Sequence, residues 1–348
     1  MVTRNDVARL AGVSPAVVSY VINNSNYVSE EKRKAVLKAI HELGYHPNAL
    51  ARSLKSGRSD QLILMTDVIR SEMFSEITYY TEHKATEKGY NLTMLSYTQE
   101  NALDALHSLP GGQYAGAFLF SALIPLSNEY VKKLNQYAEN GLPIVLVLFA
   151  EPELRISPAI SRIRPNIRES VCDAVDYLFT KGHRIIAYVG DGDPEATLEQ
   201  GNGEGLRVNG YQDSLRKHNI EPDKRYIFFL DAFKYDYRKY LNVEGVIQAY
   251  EALTPEERPT AFYVNSDQMA AELIKSFQRR GVDVPRDIEI IGFGDTMSAS
   301  IVTPELTTVA LPIKEMGETA VSMLLDKIAG KQVGDMFFRL EMIKRASA

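Results

Sequence analysis

The sequence predicts an N-terminal all-α helix-turn-helix head joined to a two-lobed α/β body of doubly wound, parallel sheets. Three observations predict it. Helix start and stop signals follow one another at short range in the first 45 residues. From residue 60 onward, short apolar runs alternate with amphipathic stretches. Charge divides at the same place: residues 1–59 carry nine Lys and Arg against four Asp and Glu, a net of +5, whereas the rest of the 348 residues carry thirty against forty-one, a net of −11. A basic head on an acidic body is an arrangement that phosphate backbones attract at one end only.

The head reads as three helices. Thr3 caps the first, with Asp6 three residues on to answer it and to favour the positive first turn. Val7, Ala8, Leu10 and Ala11 form its apolar face, and Gly12 supplies the stop. Ser14 and Pro15 are a cap and first-position pair, so a second helix begins within a few residues, the pattern of a helix-turn-helix. Ser29 starts a third helix with Val36, Ala39, Ile40 and Leu43 at helical spacing, ended by Gly44. Then Pro47 and Asn48 open, and Gly57 closes, a helix of roughly eight residues, below the ~12 to 15 needed to persist alone in water. It is expected to order only against a partner. Its Leu54, set among basic residues with no heptad continuation, suits a wedge between base pairs in a minor groove.

In the body, strands are expected at Leu62–Met65, Leu92–Tyr97, Ala115–Ser121, Ile144–Phe149, Ile185–Val189, Tyr226–Leu230, Ala261–Val264 and Ile288–Phe293. Helices are expected between them, near 74–88, 127–140, 167–180, 206–218, 243–253, 267–280 and 313–328. Such alternation specifies parallel sheets with helices on both faces. The prolines at 152, 158 and 165 break the rhythm, which places the lobe boundary near 150–165. Lobe 1 is then expected over about 61–155 and 294–325, and lobe 2 over about 160–292 and 326–348, with a ligand cleft at the strands' carboxyl ends.

Other chemistries find little support. No run approaches eighteen consecutive apolar residues and the chain opens on a capped helix, so membrane insertion and export are not expected and the cytoplasm is. The single cysteine, Cys172, is expected to pack on its helix rather than react. The histidines at 41, 46, 83, 107, 183 and 218 lack metal-ligand spacing, and neither a nucleophile elbow nor a phosphate loop ending in Gly-Lys-Ser occurs, so no enzyme, metal or cofactor is expected. Gly201-Asn202-Gly203-Glu204-Gly205 lacks the preceding apolar strand of a dinucleotide fingerprint and reads as a loop. The segment 229–240, with Tyr235, Tyr237 and Tyr240, has no assigned role.

Several blocks at fixed spacing resemble the LacI/GalR family of bacterial transcription regulators. They are Asp6-Val7-Ala8, Ala11-Gly12-Val13-Ser14, Val18-Ser19 with Asn23, Val28-Ser29-Glu30, Glu42-Leu43-Gly44-Tyr45 and Pro47-Asn48-Ala49-Leu50-Ala51-Arg52-Ser53-Leu54. The resemblance implies a DNA-binding domain over 1–47, a hinge helix over 48–58 and an effector-binding, dimerising domain over 59–348. It assigns Pro15, Ala16, Val17, Ser19 and Tyr20 to the major groove, adds Thr3, Ser14, Asn23, Tyr27 and Ser29 to the DNA contacts, and gives the hinge contacts to Asn48, Ala51, Leu54 and Lys55. The family usually carries threonine at Val17 and arginine at Tyr20. Pro15, Ala16 and Val17 offer no side-chain hydrogen bond and Tyr20 lacks the arginine fork, so the preferred operator half-site is expected to differ there.

The body resembles the family's effector domain and, through it, periplasmic sugar-binding proteins. The blocks are Lys181-Gly182-His183-Arg184, Arg207-Val208-Asn209-Gly210-Tyr211, Asn265-Ser266-Asp267-Gln268-Met269-Ala270, Gly292-Phe293-Gly294-Asp295 and Pro304-Glu305-Leu306-Thr307-Thr308-Val309. By resemblance Arg207 grips paired ligand oxygens, as a planar guanidinium can. Ser266, Asp267, Asp295, Phe74 and Ser121 are further effector candidates; Asp267 reads equally as a helix cap and Phe74 equally as core. Gly294 stands where the family often has an acid. The expected protein is therefore a homodimeric repressor of a palindromic operator, switched by a small molecule, with a carbohydrate first and a nucleobase or a protein partner as alternatives. A solute-binding transport protein would share the body but have no use for the head.

Overall fold

Thr3 begins the chain's first helix with the reciprocal capping that its spacing to Asp6 predicts. In the computed structural model, which describes residues 2–23, 27–45, 59–66, 72–98, 100–109, 113–121, 127–149, 155–192, 203–230 and 242–348, the head comprises α1 (Arg4–Ala11), α2 (Pro15–Asn23) and α3 (Glu30–Leu43). The Asp6 amide donates to the Thr3 hydroxyl at 3.3 Å and the Thr3 amide donates to the Asp6 carboxylate at 2.9 Å. Hydrogen bonds from Thr3 hold the Asp6 carboxyl below its ordinary value. Gly12 ends α1 at φ 65°, a left-handed conformation that costs a glycine little. Val7, Ala8, Val18, Val21, Val36, Ala39 and Tyr45 close the small core.

Two head expectations change. Leu10 is 48% exposed, because it lies ~110° around the helix from the centre of the stripe formed by Val7, Ala8 and Ala11. Ser29 occupies the position before α3, yet its side chain makes no capping hydrogen bond. The hinge segment, with Asn48, Ala51, Leu54 and Lys55, lies outside the described residues. The chain divides into two compact units, Met1–Asp60 and Gln61–Ala348.

The larger unit holds two six-stranded sheets. Sheet 1 contains β1 (Gln61–Thr66), β2 (Asn91–Ser96), β3 (Gly116–Ser121), β4 (Ile144–Leu148), β5 (Ile160–Pro165) and β11 (Met336–Phe338), in the order β11-β5-β4-β3-β1-β2 and parallel throughout. Sheet 2 contains β6 (Ile186–Asp191), β7 (Ile227–Leu230), β8 (Ala261–Val264), β9 (Glu289–Gly294), β10 (Thr307–Ala310) and β12 (Glu341–Ile343), in the order β12-β10-β9-β8-β6-β7. Only the β10–β12 pair is antiparallel among these ladders. Alternate strand residues face opposite layers, as the two-residue period requires. In sheet 1, Leu62, Leu64, Phe118 and Phe120 join one apolar cluster while Ile63, Met65, Ala117 and Leu119 join another. Sheet 2 divides likewise, with Tyr188 and Tyr263 against one layer and Ala187, Val189, Phe262 and Val264 against the other.

Helices cover both sheets. Sheet 1 carries α4 (Glu72–Glu87), α5 (Ala102–His107), α6 (Asn128–Glu139) and α12 (Ile313–Ile328); sheet 2 carries α7 (Ile167–Thr180), α8 (Gly203–Lys217), α9 (Glu244–Ala252), α10 (Asp267–Gln278) and the short α11 (Met297–Ile301). The α7–α8 packing is close: a Cβ at Gly210 would lie 2.3 Å from the Arg168 carbonyl oxygen. Cys172, on α7, is half-buried, and burial pushes its thiol pKa up.

The lobe contents differ from the expected division. β5 belongs to sheet 1 rather than lobe 2, β10 belongs to sheet 2 rather than lobe 1, and β11 returns to sheet 1. The chain therefore passes between lobes three times, at Pro165–Ile167, at Ala310–Ile313 and at Phe338–Glu341. The sequence rhythm missed these strands because each is short or polar-flanked, and because β5 ends on the proline that reads as a break. Asn166 ties the first and third crossings together. Its amide donates to the Phe338 carbonyl at 3.0 Å and its Oδ1 accepts from the Leu340 amide at 2.8 Å. Among the described residues, no helix is long and apolar enough to cross a membrane.

Candidate functional site

On and before α2, the residues expected to meet the groove are all at least partly exposed. Ser14, Pro15, Ala16 and Tyr20 are exposed, Tyr20 at 37%, and Val17 and Ser19 are half-buried, whereas Val18 and Val21 are in the core. Ser14 Oγ accepts from the Val17 amide at 3.4 Å, which commits it to starting the helix. Thr3 is exposed, although its hydroxyl is already engaged with Asp6. Tyr27 is 96% exposed and Ser29 half-buried at the start of α3; Asn23 ends α2. The α2 part of this face offers Pro15, Ala16 and Val17 with one phenol, Tyr20, and Tyr27 adds a second before α3.

In the larger unit the cleft candidates gather at the carboxyl ends of the sheet 2 strands. Arg207, on α8, lays its guanidinium over the Phe293 ring with 4.4 Å to the centroid, a stacking geometry that a planar cation favours. Asp191 ends β6, is 6% exposed, and accepts from Asn265 Nδ2 at 2.5 Å. Burial pushes its carboxyl pKa up, and the nearby positive charge of Arg207 opposes that shift. Neither Asp191 nor Asn265 stood out as a site residue in the sequence. The available signal was an acid closing an otherwise apolar strand, Ile186-Ala187-Tyr188-Val189-Gly190-Asp191.

Ser266 and Asp267 separate into two roles. Ser266 is the cap of α10, accepting from the Met269 amide at 3.4 Å. Asp267 is not the cap; it is the first helical residue, 1% exposed, and a strut. It accepts from the Thr308 hydroxyl at 2.6 Å, the Thr296 amide at 2.7 Å and the Thr296 hydroxyl at 3.2 Å. Burial pushes its pKa up to about 6 despite these bonds. Gly292 makes room for it, since a Cβ there would stand 2.5 Å from Asp267 Oδ1.

Asp295 has a left-handed backbone at φ 54°, an uncommon conformation for a residue with a side chain, and pairs with Arg345 at 2.6 Å. Phe74 is 2% exposed and meets Phe149 edge-on at 6.0 Å, so packing occupies its ring. Ser121 ends β3. The structure thus brings Arg207, Asp191 and Asn265 together, ties Asp267 and Asp295 into the wall behind them, and gives Phe74 to the core. Among the described residues no group of three His, Cys, Asp or Glu could hold a metal ion.

A helix-turn-helix with an outward second helix, in one chain with a two-lobed body whose polar groups converge at strand ends, is the build of a ligand-responsive DNA-binding regulator. Residues 3–48 match the profile of bacterial regulatory proteins of the lacI family, and residues 175–347 match the periplasmic binding protein-like domain. The chain is 33% identical to catabolite control protein A of Priestia megaterium over 96% of its own length and 94% of that protein. It is 31% identical to the HTH-type transcriptional repressor PurR of Vibrio atlanticus, over 100% of this chain and 98% of that one. The lac repressor dimer bound to operator and the anti-inducer ONPF superposes with a TM-score of 0.80 at 25% identity, covering 99% of this chain and 98% of that one. A transcriptional regulator CelR–cellobiose complex shares the fold, with a TM-score of 0.69 at 23% identity over the whole of both chains. The chain belongs to the LacI family and is a DNA-binding transcriptional regulator rather than an enzyme.

Proposed function

We propose that this protein is a homodimeric repressor of a palindromic operator whose DNA affinity is set by a neutral carbohydrate held between the two lobes. The observation that carries the ligand class is the convergence of Arg207, Asp191 and Asn265. Sugar hydroxyls both donate and accept, so they suit a guanidinium and amide beside a carboxylate. An anionic group brought to Arg207 would also meet the buried Asp191 in a low-dielectric site, which disfavours phosphates and carboxylates. The CelR–cellobiose complex, a regulator of the same fold, is in keeping with this class. Phe74, which could have stacked on a sugar or a base, is packed against Phe149 and does not discriminate between the two classes.

Two reading heads related by a two-fold axis would meet half-sites about one turn of DNA apart. The α2 face, with Pro15, Ala16, Val17, Ser19 and Tyr20, makes apolar and single hydrogen-bond contacts there, and the hinge residues Asn48, Ala51, Leu54 and Lys55 complete the grip. Such a regulator works where the chromosome is, in the cytoplasm.

The test is a thermal-shift screen of neutral sugars, sugar phosphates and nucleosides on the full-length protein. A cleft ligand at a hundred times its Kd adds ~2.7 kcal/mol of stability. Shifts from neutral sugars that vanish in Arg207→Ala support the reading. Shifts from nucleosides or sugar phosphates alone overturn the ligand class.

A further inference from the structure

One contact joins the lobes without belonging to any of the three crossings. Glu72 opens α4, which packs on α12 and β2 in the sheet 1 lobe; Ser298 lies in α11, which packs on α10 in the sheet 2 lobe. The Ser298 hydroxyl donates to Glu72 Oε1 at 2.9 Å and the Ser298 amide donates to Glu72 Oε2 at 3.3 Å, between residues 226 apart in sequence. Both carboxylate oxygens of one lobe are therefore occupied by donors of the other.

The donor side is braced by hydrogen bonds and burial. Asp267 holds Thr296 by its amide and hydroxyl, Arg345 holds Asp295 at 2.6 Å, and Ser298 itself is 8% exposed. The acceptor side has acidic company, since Glu76 feels both Glu72 and Asp295 in addition to its own burial. Asp295 is itself paired with Arg345, and the Ser298 donors go to Glu72.

We infer that the Glu72–Ser298 contact is an inter-lobe latch: it holds the lobes in the arrangement of this structure, called closed below, before any effector enters, and makes the two residues positioning residues of the switch. Lobes joined by short crossings open and close about them, and a bond made only when closed biases that equilibrium. A hydrogen bond to a charged group shifts a two-state equilibrium by roughly tenfold or more. The consequence for regulation rests on the effector reading above, whereas the latch itself does not.

The experiment uses the full-length protein with no added small molecule. In a Cys172→Ser background, spin labels are placed at Lys132 and Glu221, one on each lobe, and labelled chains are diluted with unlabelled ones. The distance distribution is read by pulsed electron resonance. Glu72→Ala is expected to raise the open-to-closed ratio about tenfold, Ser298→Ala by less because its amide remains, and the double variant no further than Glu72→Ala alone. Ser298→Thr, which keeps hydroxyl and amide, restores the wild-type distribution. An unchanged distribution in Glu72→Ala, or additive shifts in the double variant, overturns the latch. Should Glu72→Ala fail to fold, Glu72→Gln, which retains one acceptor, is expected to give an intermediate shift, and a wild-type distribution there overturns the proposal equally.

Discussion

Replacing Asp267 by asparagine alters the pH dependence of stability in a calculable direction. The carboxyl is 1% exposed and its pKa is raised from 3.8 to about 6, chiefly by burial. The folded state therefore binds the proton more tightly than the unfolded state does, and stability from this group is fully present below about pH 4 and is lost as pH rises through about 6. At about 1.4 kcal/mol per pKa unit, the whole loss is on the order of 3 kcal/mol, with roughly 1 kcal/mol of it falling between pH 5 and pH 7. The side-chain amide of the Asp267→Asn variant has no such titration. Urea unfolding followed by far-UV circular dichroism, on wild type and Asp267→Asn at pH 5 and pH 7, gives the double difference directly. Wild type is expected to lose about 1 kcal/mol more than the variant on going to pH 7. Equal slopes in the two proteins, or a wild type that gains relative to the variant, would mean that folding does not raise the Asp267 pKa.

Other perturbations follow from the same geometry. Gly210→Ala sets a Cβ 2.3 Å from the Arg168 carbonyl oxygen and 2.9 Å from Val171 Cβ, so α7 and α8 must part at a cost of about 1 to 3 kcal/mol; an unchanged melting midpoint contradicts this. Thr3→Ala removes the cap of α1 and is expected to cost about 1 kcal/mol, seen as faster hydrogen exchange at the Asp6 and Val7 amides, with no change if the capping box is unimportant. Tyr20→Arg is expected to move the preferred half-site toward guanine at the facing step, and in vitro selection returning the same site for both proteins counts against that assignment.

Much of the fold was legible because periodicity reports burial. Strands such as Ile144–Leu148 and Ala261–Val264 are buried throughout and read as unbroken apolar runs. What escaped are elements set by pairing rather than pattern. Met336–Phe338 and Glu341–Ile343 are three residues each, and Ile160–Pro165 alternates with arginines and ends on proline. Their sheets are fixed by register partners far along the chain, which no local window contains, so the prolines mark a break near 150–165 but not the later returns of the chain between the sheets. At the site, the family resemblance singled out Arg207, which stacks on Phe293 near Asp191. Residue type could not separate a contact from a strut, because Asp267 differs from an open carboxylate only through Thr296 and Thr308, whose approach depends on β10 lying beside β9. Glu72 and Ser298 carried no signal, being ordinary surface types that meet only through the tertiary fold.

In the switch proposed here, the affinity of the head for DNA answers to occupancy of the cleft. The most direct measurement is a gel-shift titration of a selected operator fragment by the full-length protein, with and without the neutral sugar that most raises its melting midpoint, in wild type and Arg207→Ala. A coupling free energy of ~1 to 3 kcal/mol predicts a change in operator affinity of roughly five- to 150-fold in wild type and none in Arg207→Ala. Operator affinity that ignores a sugar bound in the cleft, or that shifts equally in both proteins, is incompatible with coupling through Arg207.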